Sequence, residues 1–142
     1  MARILVAEDE VALREFITRA LTHHGHEVVA VADGAEALMA LQSSESFDLL
    51  LTDIVMPVMD GIALALKVTK ELPDIRILMM TGYAAERQRA YNLEMLIHDV
   101  IAKPFTLDEI CEKVAEALVS DRSVLNHATA SDEGLLAKDR EK

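Results

Sequence analysis

The chain has 142 residues, about half of them apolar, which suits one domain with a single core and a short extension. Lys and Arg total 14 against 25 Asp and Glu, a formal charge of −11, which argues against binding nucleic acid through its phosphates and suits a surface that meets protein partners. The single cysteine, Cys111, excludes a disulfide framework, and no apolar run approaches the roughly 20 residues of a membrane span.

In chain order, "RILVA" (3–7) reads as a strand that starts without a separate apolar leader region, so a cytoplasmic protein is expected. Leu13, Phe16, Ile17, Ala20 and Leu21 repeat at helical spacing, and Gly25 ends that helix. "EVVAV" (27–31) is a second strand, and Ala37, Leu38 and Leu41 mark a second helix. "FDLLLT" (47–52) reads as a third strand, buried on both faces. Ile62, Ala65, Leu66 and Thr69 follow as a helix stopped at Pro73, and "IRILMMT" (75–81) is a fourth strand. Residues 84–94 have helix formers with a thin apolar stripe, "DVIA" (99–102) is a short fifth strand, and Leu107, Ile110, Val114, Ala115 and Leu118 form the last helix. Residues 120–142 are polar and mixed in charge and read as a mostly disordered tail, leaving residues 1–119 as the domain. Five βα units with strands this apolar imply an α/β fold, a parallel sheet with helices on both faces. Ligand sites in such sheets form at the carboxyl ends of the strands.

Those ends carry chemistry. The first strand delivers Glu8 and Asp9, the third Asp53, the fourth Thr81, and the fifth Lys103 followed by Pro104. Three carboxylates on one sheet edge repel each other, and the natural remedy is a hard divalent cation, most simply Mg²⁺. A lysine and a hydroxyl opposite the acids call for an anion, and a phosphoryl group fits between them. Asp53 is then a nucleophile that forms an aspartyl phosphate, and Pro57 and Gly61 shape the loop around the metal.

"AEDE", "DIVMPVMDG", "MTG" and "AKPF", in this order and spacing, resemble the receiver domain of two-component response regulators across about residues 2–119. The resemblance implies a doubly wound, flavodoxin-like five-stranded sheet in the order 2-1-3-4-5. It implies Asp53 as phosphoacceptor, Asp9 as a direct Mg²⁺ ligand, Glu8 as an acid acting through water, and Val55 as the residue lending its backbone carbonyl. Thr81 matches the switch hydroxyl and Lys103 the family's lysine, whose bond to Pro104 is usually cis there. It implies a histidine kinase or histidine phosphotransferase as phosphodonor. "LLLTDIVMPVMDG" with "MMTGYAAERQRA" is similar to the single-domain CpdR-type regulators of alphaproteobacteria, a group that works with the ClpXP protease in cell-cycle proteolysis.

Two positions depart from the family pattern. Val100 stands where an aromatic often swings inward on activation, so Tyr83 is the candidate to carry the signal, toward a partner face made by the 84–94 helix, the fifth strand and the last helix. Val55 replaces the small polar residue often found there, and its apolar side chain should hinder an attacking water.

Other features have plainer readings. His23, His24 and His26 straddle a helix end and read as a solvated cap, Cys111 as a core filler, and Met56, Met59, Met79 and Met80 as packing. Tyr91 reads as an ordinary, partly exposed aromatic. Two other functions compete with a phosphorylation-controlled interaction module. One is a phosphate sink that only drains a kinase. The other is a haloacid-dehalogenase-like phosphatase, which needs a second acid where this chain has Val55.

Overall fold

In the computed structural model, which describes residues 2–43, 45–82 and 97–119, the short apolar runs pair into one parallel sheet. Its strands are β1 (Arg3–Ala7), β2 (Glu27–Val31), β3 (Leu49–Asp53), β4 (Arg76–Thr81) and β5 (Asp99–Ala102), in the order β2-β1-β3-β4-β5. The order reverses between β1 and β3, which opens a crevice at their carboxyl ends. The helices are α1 (Val11–His23), α2 (Gly34–Leu41), α3 (Gly61–Glu71) and α4 (Leu107–Val119).

The three consecutive leucines of β3 are explained by the pleat, since successive strand residues face opposite sides. Leu49 and Leu51 join Ile4, Val6, Leu78 and Met80 under α1 and α4. Leu50 joins Leu5, Ile77 and Met79 under α2 and α3. Every residue of β3 is buried, whereas β2, at the sheet edge, leaves Glu27 and Ala30 exposed. Burial on both faces therefore holds for the central strands and not for the edge. Polar residues set the helix starts. Asp33 accepts from the Glu36 amide, Asp60 from the Ala63 amide, and Thr106 and Glu109 cap each other reciprocally at α4. Gly25, at φ 91°, ends α1.

β3 begins two residues later than the sequence pattern suggests and runs through Asp53. Just ahead of the strand, the Asp48 amide bonds to the Arg3 carbonyl and its carbonyl accepts from the Arg76 amide, while its side chain accepts from the Arg3 amide at 2.9 Å, and Phe47 lies under the Arg3 guanidinium. β4 begins at Arg76 because the Ile75 amide turns back to Leu72. Cys111 and Met56, Met79 and Met80 are buried and Met59 is partly buried, as packing residues should be. Tyr83, Tyr91, the helix expected over 84–94 and the tail expected over 120–142 lie outside the described residues. Among the described residues, no helix is long and apolar enough to cross a membrane.

Val58 is the one described non-glycine residue in the left-handed region, at φ 71°, and it is 83% exposed. That conformation costs a β-branched side chain roughly 1–2 kcal/mol, and asparagine tolerates it. Val58→Asn should therefore raise stability by about 1 kcal/mol, a gain of a few degrees in Tm. A thermal melt at or below that of the parent chain would show that the loop carries no such strain.

Candidate functional site

The site is assembled at the carboxyl ends of β1, β3, β4 and β5. The Glu8 amide bonds to the Val31 carbonyl at 3.1 Å, which carries the β1 pairing one residue past the strand and turns its side chain inward. Glu8 is 1% exposed and Asp53 5%, while Asp9 is exposed. Asp53 lies beside Met80 in the β3–β4 register, one residue before the fully buried Thr81. The Lys103 amide bonds to the Thr81 carbonyl at 2.8 Å, and the Lys103–Pro104 peptide is cis. The Lys103 Nζ donates to Asp53 Oδ2 at 2.8 Å and to Glu8 Oε1 at 3.2 Å. The other Asp53 oxygen accepts from the Ile54 amide, and the other Glu8 oxygen from the Glu10 amide.

Carboxylate oxygens of Glu8, Asp9 and Asp53 all lie within 4.8 Å of one another, and no other group of three acids, histidines or cysteines is so arranged among the described residues. Three hard oxygen donors on one side of a lysine suit a small divalent cation. Charge in the pocket is only partly balanced. Burial, with the nearby Asp53 charge adding to it, pushes the Glu8 carboxyl up to about 7 against the Glu10 amide and Lys103. Burial also raises Asp53, outweighing its bonds to Lys103 and Ile54. Lys103 feels burial as a push toward neutrality, but the hydrogen bond and charge of Asp53, with Glu8 behind them, leave its pKa above that of an ordinary lysine. A pocket holding two buried carboxylates against one ammonium has room for further positive charge.

Close backbone packing holds the loop after Asp53. The Ile54 amide bonds to the Met80 carbonyl, and the Gly61 amide to the Ile54 carbonyl at 2.7 Å. A Cβ at Gly61 would sit 2.0 Å from the Asp53 carbonyl oxygen, and one at Gly34 would sit 2.1 Å from that of Met59. The loop is thus clamped between the starts of α2 and α3. Val55, 53% exposed, projects into an open cleft of about 750 Å³ that it lines with Leu13, Phe16, Asp53, Lys103 and Phe105. Val100 packs partly buried against the core under α2 and α3.

The structure therefore brings Glu8, Asp9, Asp53 and Lys103 together, with Thr81 on the adjoining strand end. It keeps the histidines apart from them. His23 and His24 are exposed, as a cap should be, but His26 is half-buried and its Nδ1 accepts from the Ala2 amide at 3.2 Å. Burial lowers the His26 pKa. The reading of a solvated cap holds for the first two and fails for the third, because the chain folds back into β2 there. His24 Nδ1 also lies 3.4 Å from the Cys111 Sγ. Sequence reasoning missed Gly34 and Arg14. Gly34 directly follows a capping aspartate, which suggests a helix start but not the close approach of a loop from elsewhere.

The parallel sheet with an acidic cluster and a lysine at its strand ends is that of a receiver domain, and the chain belongs to the response regulator receiver domain family, which residues 4–115 match. It is 41% identical over 120 residues to the response regulator receiver protein CpdR of Brucella abortus (strain 2308), covering 84% of this chain and 99% of that protein. It is 35% identical over 108 residues to the transcriptional regulatory protein TcrA of Mycobacterium tuberculosis, where it spans 76% of this chain and only 42% of the relative. Among solved structures it is similar to the response regulator protein TrrA of Thermotoga maritima in complex with Mg²⁺-BeF, with a TM-score of 0.75, 33% identity, and coverage of 83% of this chain and 100% of that one. The sheet order 2-1-3-4-5 is the flavodoxin-like order expected.

Proposed function

We propose that this chain is a single-domain response regulator that takes a phosphoryl group onto Asp53 and passes the change to a protein partner. The observation that carries this reading is the convergence of Glu8, Asp9 and Asp53 oxygens within 4.8 Å, with the Lys103 ammonium 2.8 Å from Asp53. The Asp53 oxygen attacks the phosphorus of a phosphohistidine on a kinase or phosphotransferase. The phosphorus–nitrogen bond breaks, and the imidazole leaves and takes up a proton. Lys103, already bonded to Asp53, neutralises the charge that gathers on the phosphoryl oxygens. Asp9, Asp53 and the Val55 carbonyl, with Glu8 through water, would hold Mg²⁺, which would supply Lewis-acid charge stabilisation. The apolar walls of the cleft, Leu13, Phe16 and Phe105, offer the donor protein a docking surface beside Asp53. Thr81 is the hydroxyl that closes on the phosphoryl group, and Tyr83 relays the shift toward β5 and α4. The resemblance of its motifs to CpdR-type regulators extends the proposal to a role in steering ClpXP, with ClpX as the partner.

Incubating the chain with a small-molecule phosphodonor and Mg²⁺ should add one phosphate by mass, and Asp53→Asn should abolish the label. Equal labelling of the variant would remove Asp53 from its role. Capture with and without beryllofluoride separates a switch, which gains or loses a partner, from a sink, which does neither. Sustained hydrolysis of a generic phosphomonoester would favour a phosphatase instead, but Val55 offers no acid for it.

A further inference from the structure

Arg14 stands where simple helix electrostatics would not put it. It lies in the opening turn of α1, and a cation there opposes the helix dipole. No acid in that turn accounts for it, and the helix start has no side-chain cap. Its guanidinium folds back past the start of the helix instead, and Nη1 donates to the backbone carbonyl oxygen of Glu8 at 2.8 Å. That carbonyl belongs to the peptide joining Glu8 to Asp9. The rest of Glu8 is held as well, its amide by Val31 and its two carboxylate oxygens by Lys103 and the Glu10 amide. Asp9 is exposed, so its aim depends on the peptide that leads into it.

We propose that Arg14 is a positioning residue for the cation site, an assignment that rests on the reading of Glu8, Asp9 and Asp53 as metal ligands. Its charge-assisted bond fixes the Glu8–Asp9 peptide plane, so that the two carboxylates are already set to share one cation. The guanidinium bonds to the Glu8 backbone carbonyl and would act on the cation through that peptide. Charge alone predicts the opposite effect, because an arginine beside the pocket repels a divalent cation and its removal should tighten binding. The sign of the change in affinity therefore separates positioning from electrostatics.

The experiment is calorimetric titration of the full chain with Mg²⁺ alone, comparing the parent with Arg14→Met and Arg14→Lys. Arg14→Met keeps the apolar stem and loses the donor, and it should weaken Mg²⁺ binding about tenfold, the lower end for outer-shell partners of metal ligands. Arg14→Lys keeps a charged donor and should recover most of that loss. The metal-free melting temperature is recorded beside each titration, and Arg14→Gln replaces Arg14→Met if the latter does not fold. Affinity unchanged or tightened in a folded Arg14→Met or Arg14→Gln overturns the assignment, even if the variant melts earlier, because Arg14 would then be only a brace for α1. A parent chain that binds no Mg²⁺ would sink the cation reading itself, and this assignment with it.

Discussion

Gly61→Ala should cost about 3 kcal/mol of stability or more, at the top of the usual range for overpacking, and lower Tm by roughly 10 °C. The new Cβ would lie 2.0 Å from the Asp53 carbonyl oxygen and 3.1 Å from the Ile54 Cα. These are backbone atoms at the end of β3, a strand buried at every position, so they cannot step aside as a flexible side chain would. The gain of about 1 kcal/mol in helix propensity from alanine is too small to offset this. Gly25→Ala is the control. Gly25 has φ 91° but nothing within 4 Å of an added Cβ, so that change should cost only about 1–2 kcal/mol of backbone strain. Urea unfolding of the two variants checks the difference. A Gly61→Ala chain no weaker than Gly25→Ala would mean that the loop is not clamped against the strand. The clash falls on the peptide of Asp53 itself, so the variant that folds should also take up phosphate more slowly than the parent.

Gly61 also shows how far the sequence could be read. Its place after "MPVMD" marks a loop end, and the pattern correctly puts a helix after it. The reason for glycine is tertiary, a backbone passing within contact of β3, and local sequence does not encode that. The bounds of β1, β2 and β5 were legible because apolar and polar residues change over sharply there. The start of β3 was not legible, because Phe47 is apolar and buried yet serves the core and the Arg3 stack rather than the ladder. In the site, the residue types at the strand ends were legible, since an acid or lysine at the end of an apolar run is conspicuous. Which acid is buried was not. Glu8 and Asp9 are adjacent and chemically alike, and only the Val31 pairing and a lysine 95 positions along the chain turn Glu8 inward. Nothing in the local pattern around Arg14 marks its bond to the Glu8 carbonyl, which depends on how the chain turns from β1 into α1.

Burial of Glu8 gives the last prediction, which concerns pH. Its carboxyl rises from an ordinary value of 4.5 to about 7 in the folded chain. Between those values the folded state holds a proton that the unfolded state has released, so metal-free stability must fall as pH rises from about 4.5 to 7. At roughly 1.4 kcal/mol per pKa unit the full shift is on the order of 3 kcal/mol. Asp53, also raised, adds a slope of the same sign starting at lower pH. Lys103 adds none below neutrality, because its pKa is raised and its contribution is lost only in strongly alkaline solution. Glu8→Gln removes the titrating group and relieves part of the repulsion on Asp53. In the presence of a chelator, the variant should therefore gain on the parent by about 2–3 kcal/mol between pH 5 and pH 8, whatever its constant offset from a poorer hydrogen bond to the Glu10 amide. Urea titrations at pH 5, 6, 7 and 8 measure this directly, and parallel curves for the two chains would show that Glu8 is ionised as easily folded as unfolded. Mg²⁺ should reverse the trend in the parent alone. A cation and a proton compete for the same carboxylates, so stabilisation by the metal grows as Glu8 deprotonates. Over this range the metal-free chain should then be weakest above about pH 7, where Glu8 is ionised and the cation binds best.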